Sequence, residues 1–398
     1  MDRFRADWVL PVAGRPIHKG WVGVDGGRIV DVGVGPADAV DLGSVALLPG
    51  LVNTHTHLEL SHLRGQIAKA GAFTDWVQAL LRLRRRPEGF RSEDVERGVT
   101  TALAEARRSG TVLFGDVANS LATVAAFEAA GASARVFLEL IGFNATDPAG
   151  RVSDARASLS SARSSERVRL SLSAHAPYSV SPELFKAIRA DLDSSADHVS
   201  AVHLAESPEE VELLARGTGP CRALLHDLGA WNPDWTMPAA SPVEYLDELG
   251  FLDTRVIAVH GVQCTGEDLR RLSALGVTIA SCPRSNEYVG VGAPPLEAFY
   301  AMDVEVAFGT DSLASVETLS LFDELKEARR LAPRVAAATL LRSATLVGAR
   351  ALGFGDDYGT LEPGRRAEII AVRVPSGVSD VEEYLVGGIQ PADVSWLQ

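Results

Sequence analysis

His55-Thr-His57 is the pair of residues on which the chemistry of this chain turns. An apolar run, Val45-Ala-Leu-Leu48, leads toward it and reads as a buried strand. Side chains alternate faces along a strand, so residues two apart project together. Two neutral imidazoles placed this way make half of a zinc site. Such a pair also arises by chance, and nine His are spread over 398 residues, so it needs partners. Other polar residues stand where apolar runs end. They are Asp116 after Thr111-Val-Leu-Phe-Gly, His175 in Ser173-Ala-His-Ala-Pro-Tyr178, His203 with Glu206 three residues on, and His260 after Arg255-Val-Ile-Ala-Val. Arg284-Ser-Asn286 follows Val277-Thr-Ile-Ala-Ser-Cys282, and Asp311 lies in Gly309-Thr-Asp-Ser312. Imidazoles and carboxylates gathered at strand ends suit metal binding and proton transfer.

The elements that must hold these residues alternate between strand and helix from 49 to 355. After the opening strand come strands at 111–116, 135–141, 168–174, 199–204, 255–260, 277–282 and 304–309, with helices at 92–108, 121–130 and 182–190 among them. Apolar runs without alternation suit strands buried on both faces. Eight strand–helix alternations predict an α/β fold, a (β/α)8 TIM barrel whose chemistry sits at the C-terminal strand ends. An open doubly wound sheet is the alternative, and no glycine-rich phosphate loop supports it. Residues 1–48 read as short strands, with Asp25-Gly-Gly27 as a hairpin turn. Residues 356–398 contain a turn and strand of the same kind, so the two ends are expected to pair beside the barrel. Residues 208–254 form an unusually long connection holding Trp231, Trp235, Tyr245, Pro233, Pro238 and Pro242. A lid over the site and a packed insertion are both compatible with it.

A formal net charge of −14 argues against nucleic acid as a partner. Cys221, Cys264 and Cys282 show neither disulfide spacing nor a cysteine metal motif. There is no apolar signal core at the start and no long apolar run, so no membrane association and a cytoplasmic setting are expected. The partner is expected to be a small-molecule substrate, and a homo-oligomer is compatible with the composition.

Pro49-Gly-Leu-Val-Asn-Thr-His-Thr-His57, His203-Leu-Ala-Glu206, His260, Ser281-Cys-Pro-Arg-Ser-Asn286, Gly309-Thr-Asp-Ser312 and Gly359-Thr-Leu-Glu-Pro-Gly-Arg-Arg-Ala-Glu-Ile-Ile370 together resemble the amidohydrolase superfamily over nearly the whole chain. The resemblance implies a distorted TIM barrel (49–355), a β-sandwich from the two termini (1–48 with 356–398), and metal-assisted hydrolysis. No Lys lies between Lys69 and Lys186, so the two-metal form bridged by a carbamylated Lys is excluded and the one-metal form is favoured. The resemblance makes His55, His57, His203 and Asp311 the ligands of one divalent metal. Three nitrogens and one oxygen suit Zn²⁺, and Fe²⁺ also fits such a set.

By the same resemblance, Glu206 carries protons for a metal-activated hydroxide, His260 holds that nucleophile, and Asp311 serves both metal and nucleophile. His175, Arg284 and Asn286 are candidate substrate contacts; packing under Pro177 and capping after the seventh strand are their structural alternatives. The Arg82–Arg86 run reads as the solvated face of a helix or as a carboxylate site. Within the superfamily, Thr56-His-Leu-Glu-Leu-Ser61, Gly309–Ser315 and Glu206-Ser-Pro-Glu-Glu-Val-Glu-Leu-Leu214 look like aminodeoxyfutalosine deaminases. S-adenosylhomocysteine/methylthioadenosine, guanine and cytosine deaminases and chlorohydrolases are the alternatives, with a non-catalytic metal-binding paralogue behind them. The tryptophan-proline-x-glutamate pattern of S-adenosylhomocysteine deaminases is absent around Trp76.

Overall fold

The computed structural model describes residues 1–35, 38–85 and 92–397. Two small sheets are built from both ends of the chain. One places Arg28–Val34, Gly20–Asp25, Asp2–Arg5 and Val40–Asp41 side by side. The other runs Val394–Trp396, Ile369–Arg373, Val45–Pro49, Trp8–Val9 and Ile17–His18. Gly26 and Gly27 turn the hairpin with φ of 56° and 74°, values that only glycine adopts without strain. Val9, Val22, Ile29, Leu47, Leu361 and Ile369 form the apolar core of this unit.

The run Val45-Ala-Leu-Leu48 is a buried strand, but it does not open the barrel. Val45–Pro49 pairs antiparallel with Ile369–Arg373 in the terminal sheet. Only after Gly50 does the first barrel strand, β1 (Leu51–Thr56), begin. A side chain at Gly50 would collide with Val112, 2.0 Å from the Cβ position, so glycine lets the chain cross from sheet to barrel at close quarters.

The barrel continues with β2 (Thr111–Ala118), β3 (Ser133–Leu140), β4 (Val168–Ala174), β5 (Ser200–Leu204), β6 (Val256–His260), β7 (Thr278–Ser281) and β8 (Glu305–Phe308). All are parallel and form two arcs, β1–β4 and β5–β8. The arcs meet at their upper ends. His203 N–H donates to the His175 carbonyl at 2.8 Å, and Asp311 N–H donates to the His55 carbonyl at 3.0 Å. Every residue of β2 is buried, as expected for a strand with helices outside and a filled barrel inside.

Residues 208–254 fold into three short helices: Pro208–Arg216, Pro220–Asp227 and Pro242–Glu248. Ser207 and Ser241 cap two of them by accepting from Glu210 N and Glu244 N, and each helix begins with proline, whose fixed φ suits that position. Leu213, Cys221, Leu225, Val243 and Leu246 are buried, so the insertion is packed against the body of the protein.

Candidate active site

Four strand ends converge on one point. His55 and His57 come from β1 and the residue just beyond it, His203 from β5, His260 from the end of β6, and Asp311 from the turn after β8. Gly309 makes the approach of β8 to β1 close: a Cβ there would lie 2.7 Å from that of His55. Ala205, His260 and Asp311 all hold left-handed φ values of 51°, 77° and 61°. They are three of the seven non-glycine residues with positive φ among those described. Such backbone strain costs on the order of 1–3 kcal/mol each and concentrates where geometry serves function.

The imidazole nitrogens are arranged as donors of lone pairs. His57 Nε2 and His203 Nε2 face each other at 3.2 Å, and Asp311 Oδ1 lies 3.7 Å from His55 Nε2 and 3.8 Å from His57 Nε2. A tetrahedral zinc with bonds of about 2.0–2.1 Å needs donors separated by roughly 3.3 Å, so the set is close to that shape. His55 Nε2 is buried without a hydrogen-bond partner; leaving such an atom unmet is costly unless something binds there. His203 Nδ1 donates to the His175 carbonyl at 2.9 Å, which leaves Nε2 unprotonated. Burial, with neighbouring imidazoles adding to it, holds His55 well below the ordinary histidine range. Burial is also the main cause that brings His57 and His203 to about 4. All three are therefore neutral at pH 7. His55, His57, His203 and Asp311 fit a divalent metal.

The acid–base groups are fixed from behind. Asp311 Oδ2 accepts from Ser285 Oγ at 2.5 Å and Ser315 Oγ at 3.2 Å, which turns Oδ1 toward the histidines. Asn286 Nδ2 donates to His260 Nδ1 at 2.9 Å, so the proton of His260 sits on Nε2, 3.5 Å from Glu206 Oε1. Burial first, then the charges of Asp311, Glu210 and Glu209, push Glu206 well above the usual carboxylate range. A carboxyl raised in this way can both accept a proton and give it up near neutral pH. Glu210 accepts the backbone N–H of Glu206 at 2.9 Å and that of Ala205 at 3.2 Å, which fixes the left-handed turn carrying Glu206.

A cavity of about 360 Å³ opens from this cluster. His57, His203, Glu206, His260 and Asp311 line its inner end, and His175 and Tyr178 its side. The helix α1 (Phe73–Arg84) supplies Trp76, Val77, Leu80, Leu81 and Arg84. The insertion supplies Leu224, Leu225, Leu228 and Ala230; behind them Trp231 stacks on Phe143 and Trp235 packs against it at a tilt.

Two readings from the sequence need correction. Arg284 turns away from the cavity; its guanidinium meets the Thr318 carbonyl at 3.2 Å and buried Glu324 at 3.4 Å. Asn286 lies behind His260 and does not line the cavity. The Arg82–Arg86 run is divided: Arg82 bonds Gln78 within its own helix, Arg84 lines the cavity and donates to Asn119 at 2.7 Å, and Arg86 falls outside the described residues. Glu139, Arg151 and Glu210 are parts of the site that sequence reasoning passed over. A lone acidic residue at the end of the apolar run Val136-Phe-Leu-Glu-Leu was the available signal for Glu139.

A parallel barrel whose mouth gathers three neutral histidines, an aspartate and a proton-holding glutamate defines a metal-dependent hydrolase. The amidohydrolase family model matches residues 46–388, and the chain belongs to that family as a hydrolase of carbon–nitrogen bonds other than peptide bonds. A 5-methylthioadenosine/S-adenosylhomocysteine deaminase of Moorella thermoacetica is 32% identical, over 97% of this chain and 90% of that protein. An aminodeoxyfutalosine deaminase of Deinococcus radiodurans is 32% identical, over 80% of this chain and 76% of that one. Among solved structures, a zinc-bound adenosine deaminase from Xanthomonas campestris superposes with a TM-score of 0.81 at 28% identity, covering 98% of this chain and 90% of that one. No helix among the described residues is long and apolar enough to cross a membrane.

Proposed function

We propose that this chain deaminates a 6-aminopurine nucleoside carrying a carboxylate on its 5′ side, with aminodeoxyfutalosine as the substrate and one zinc as the metal. The relatives named as nucleoside deaminases support the reaction. The observation that carries the substrate is the far end of the cavity. Arg84 and Arg151 line both the cavity and the shallow depression that continues from it, together with Asn119, Glu139 and Ile141. Two guanidiniums on one wall suit an anionic tail. Between them and the centre the walls are apolar: Val77, Leu80, Leu81, Ile141 and Phe143. An arene fits such a wall better than the charged amino-acid tail of S-adenosylhomocysteine.

When bound, the metal supplies a water acidic enough to ionise near neutral pH. The protein's own residues do the rest. Glu206 takes the proton of the nucleophile and delivers it to a purine ring nitrogen. His260 Nε2–H donates toward the nucleophile, with Asn286 keeping that tautomer. Asp311 Oδ1 accepts from the attacking oxygen while its other oxygen stays with Ser285 and Ser315. Attack at the amino-bearing carbon of the ring expels ammonia.

The test is ammonia release across aminodeoxyfutalosine, S-adenosylhomocysteine, methylthioadenosine, 5′-deoxyadenosine, guanine and cytosine. The reading expects the two carboxylate-bearing nucleosides to lead in kcat/KM, aminodeoxyfutalosine first. Arg84→Ala and Arg151→Ala should each raise KM for those two by about 10- to 100-fold, the worth of a charged hydrogen bond, and leave methylthioadenosine nearly unchanged. A lead for guanine or cytosine would overturn the substrate and leave the deaminase chemistry standing.

A further inference from the structure

We infer that Glu139 reads a sugar hydroxyl of the substrate. The inference rests on the nucleoside reading above and adds a specificity-determining residue to it. Glu139 stands one residue from the end of β3, where the cavity opens into the outer depression. Its side chain is only 4% exposed. Oε2 accepts from Asn119 Nδ2 at 2.8 Å, and Asn119 Oδ1 accepts from Arg84 Nη2 at 2.7 Å. The carboxylate is thus held in one orientation. Oε1 is buried and has no hydrogen-bond partner; the nearest ring nitrogen, His203 Nδ1, lies 3.7 Å away and gives its proton to the His175 carbonyl instead. A buried carboxylate oxygen with unmade bonds is unfavourable and calls for an explanation; a bound ligand that donates to it is one.

Three kinds of donor can be weighed. A second metal is the first, because Glu139, His175 and His203 offer ligand atoms within 4.8 Å of one another. It fails on His203. That ring gives Nε2 to the metal set already described, and its Nδ1 proton goes to the His175 carbonyl, so a second metal would require the ring to lose its last proton. An ammonium is the second, and the neighbouring guanidiniums of Arg84 and Arg151 repel it. A neutral hydroxyl is the third, and it meets no objection. In a nucleoside the sugar lies between the base and the 5′ substituent. Glu139 likewise lies between the centre where the base reacts and the arginines that take the tail.

The experiment measures kcat/KM for adenosine, 2′-deoxyadenosine, 3′-deoxyadenosine and 2′,3′-dideoxyadenosine, with the parent protein, Glu139→Gln and Glu139→Ala, alongside metal content. The parent should lose about 10- to 100-fold when the contacted hydroxyl is removed. Glu139→Ala should lose a similar factor on adenosine and nothing further on the dideoxy compound. Glu139→Gln, which fills the same volume, should fall between them, and both variants should keep their metal. Equal losses on adenosine and dideoxyadenosine, or loss of metal, would show that Glu139 serves only to support His203, and the proposal falls. If the parent deaminates none of the nucleosides, the nucleoside reading itself falls and this inference with it.

Discussion

The inner end of the cavity and its mouth are built on opposite terms. At the inner end, a hydrogen bond holds almost every working atom from behind: Ser285 and Ser315 on Asp311, Asn286 on His260, the His175 carbonyl on His203, and Glu210 on the turn bearing Glu206. At the mouth, Ile141 is 46% and Leu228 38% exposed, and most of the lining is aliphatic. The inner end resists change because each bond there is directional and buried. The aliphatic part of the mouth tolerates change because such contacts are individually small and adaptable. One region sets what reaction is done, and the other sets on what.

Substitutions can break this contrast, and the largest effect is expected at the metal set. His55→Ala should lose metal and activity together, measured by elemental analysis and ammonia release. Far-UV circular dichroism should stay unchanged, because barrel packing does not depend on the mouth. Metal retained at the parent level would remove His55 from the set. Glu206→Gln comes next: metal content should hold while turnover falls by about 10²–10⁴-fold, the usual worth of proton transfer. Near-parental turnover would mean that another group carries the proton.

Glu210→Gln sharpens the contrast, since Glu210 touches only the backbone behind Glu206. An amide can accept one of the two N–H groups and must oppose the other, so kcat should fall about tenfold with metal unchanged. It also gives a pH signature. Burial raises Glu210 from 4.5 to about 7. Between those values the folded protein keeps a proton that the unfolded chain has lost, so this group makes stability fall as pH rises from about 4.5 to 7, by roughly 3 kcal/mol in total. The Gln variant should lose that slope in urea unfolding measured at pH 5 and 7; identical slopes would contradict the assignment. The smallest effect is expected on the aliphatic wall of the mouth. Leu228→Ala removes a partly exposed aliphatic group, worth about 1 kcal/mol or less, so KM should rise no more than about fivefold and kcat should stay put.

Much of the barrel was legible because strands buried on both faces produce apolar runs, and a polar residue ending such a run stands out. His55, His57, His175, His203, His260 and Asp311 were visible for that reason, and they line one cavity or adjoin it. What the sequence hid was orientation. Arg284 and Asn286 sit in the right segment, but Glu324 and His260 hold them on the far side of it. Arg84 reads as one of several arginines on a helix, and only the packing of α1 across the mouth turns it inward. Glu210 passed unremarked, because a bond to backbone N–H groups leaves no mark on composition. The strand at 45–48 reads both as the lead into the histidine strand and as part of the 1–48 unit, because apolar runs report burial and are silent about the partner.

That sheet assignment has a consequence for how the protein is made. Val45–Pro49 lies between Trp8–Val9 and Ile369–Arg373 and continues through Gly50 into the strand that bears His55. On the ribosome the first of these neighbours precedes the strand, and the second follows only after the whole barrel has been made. The anchor of the histidine strand is therefore finished late, after Asp311 has been made but a few seconds behind it at ordinary elongation rates. A nascent chain that stops before Ile369 leaves a hydrophobic strand edge open, and open edges recruit other chains. Pairing with Ile369–Arg373 closes that edge.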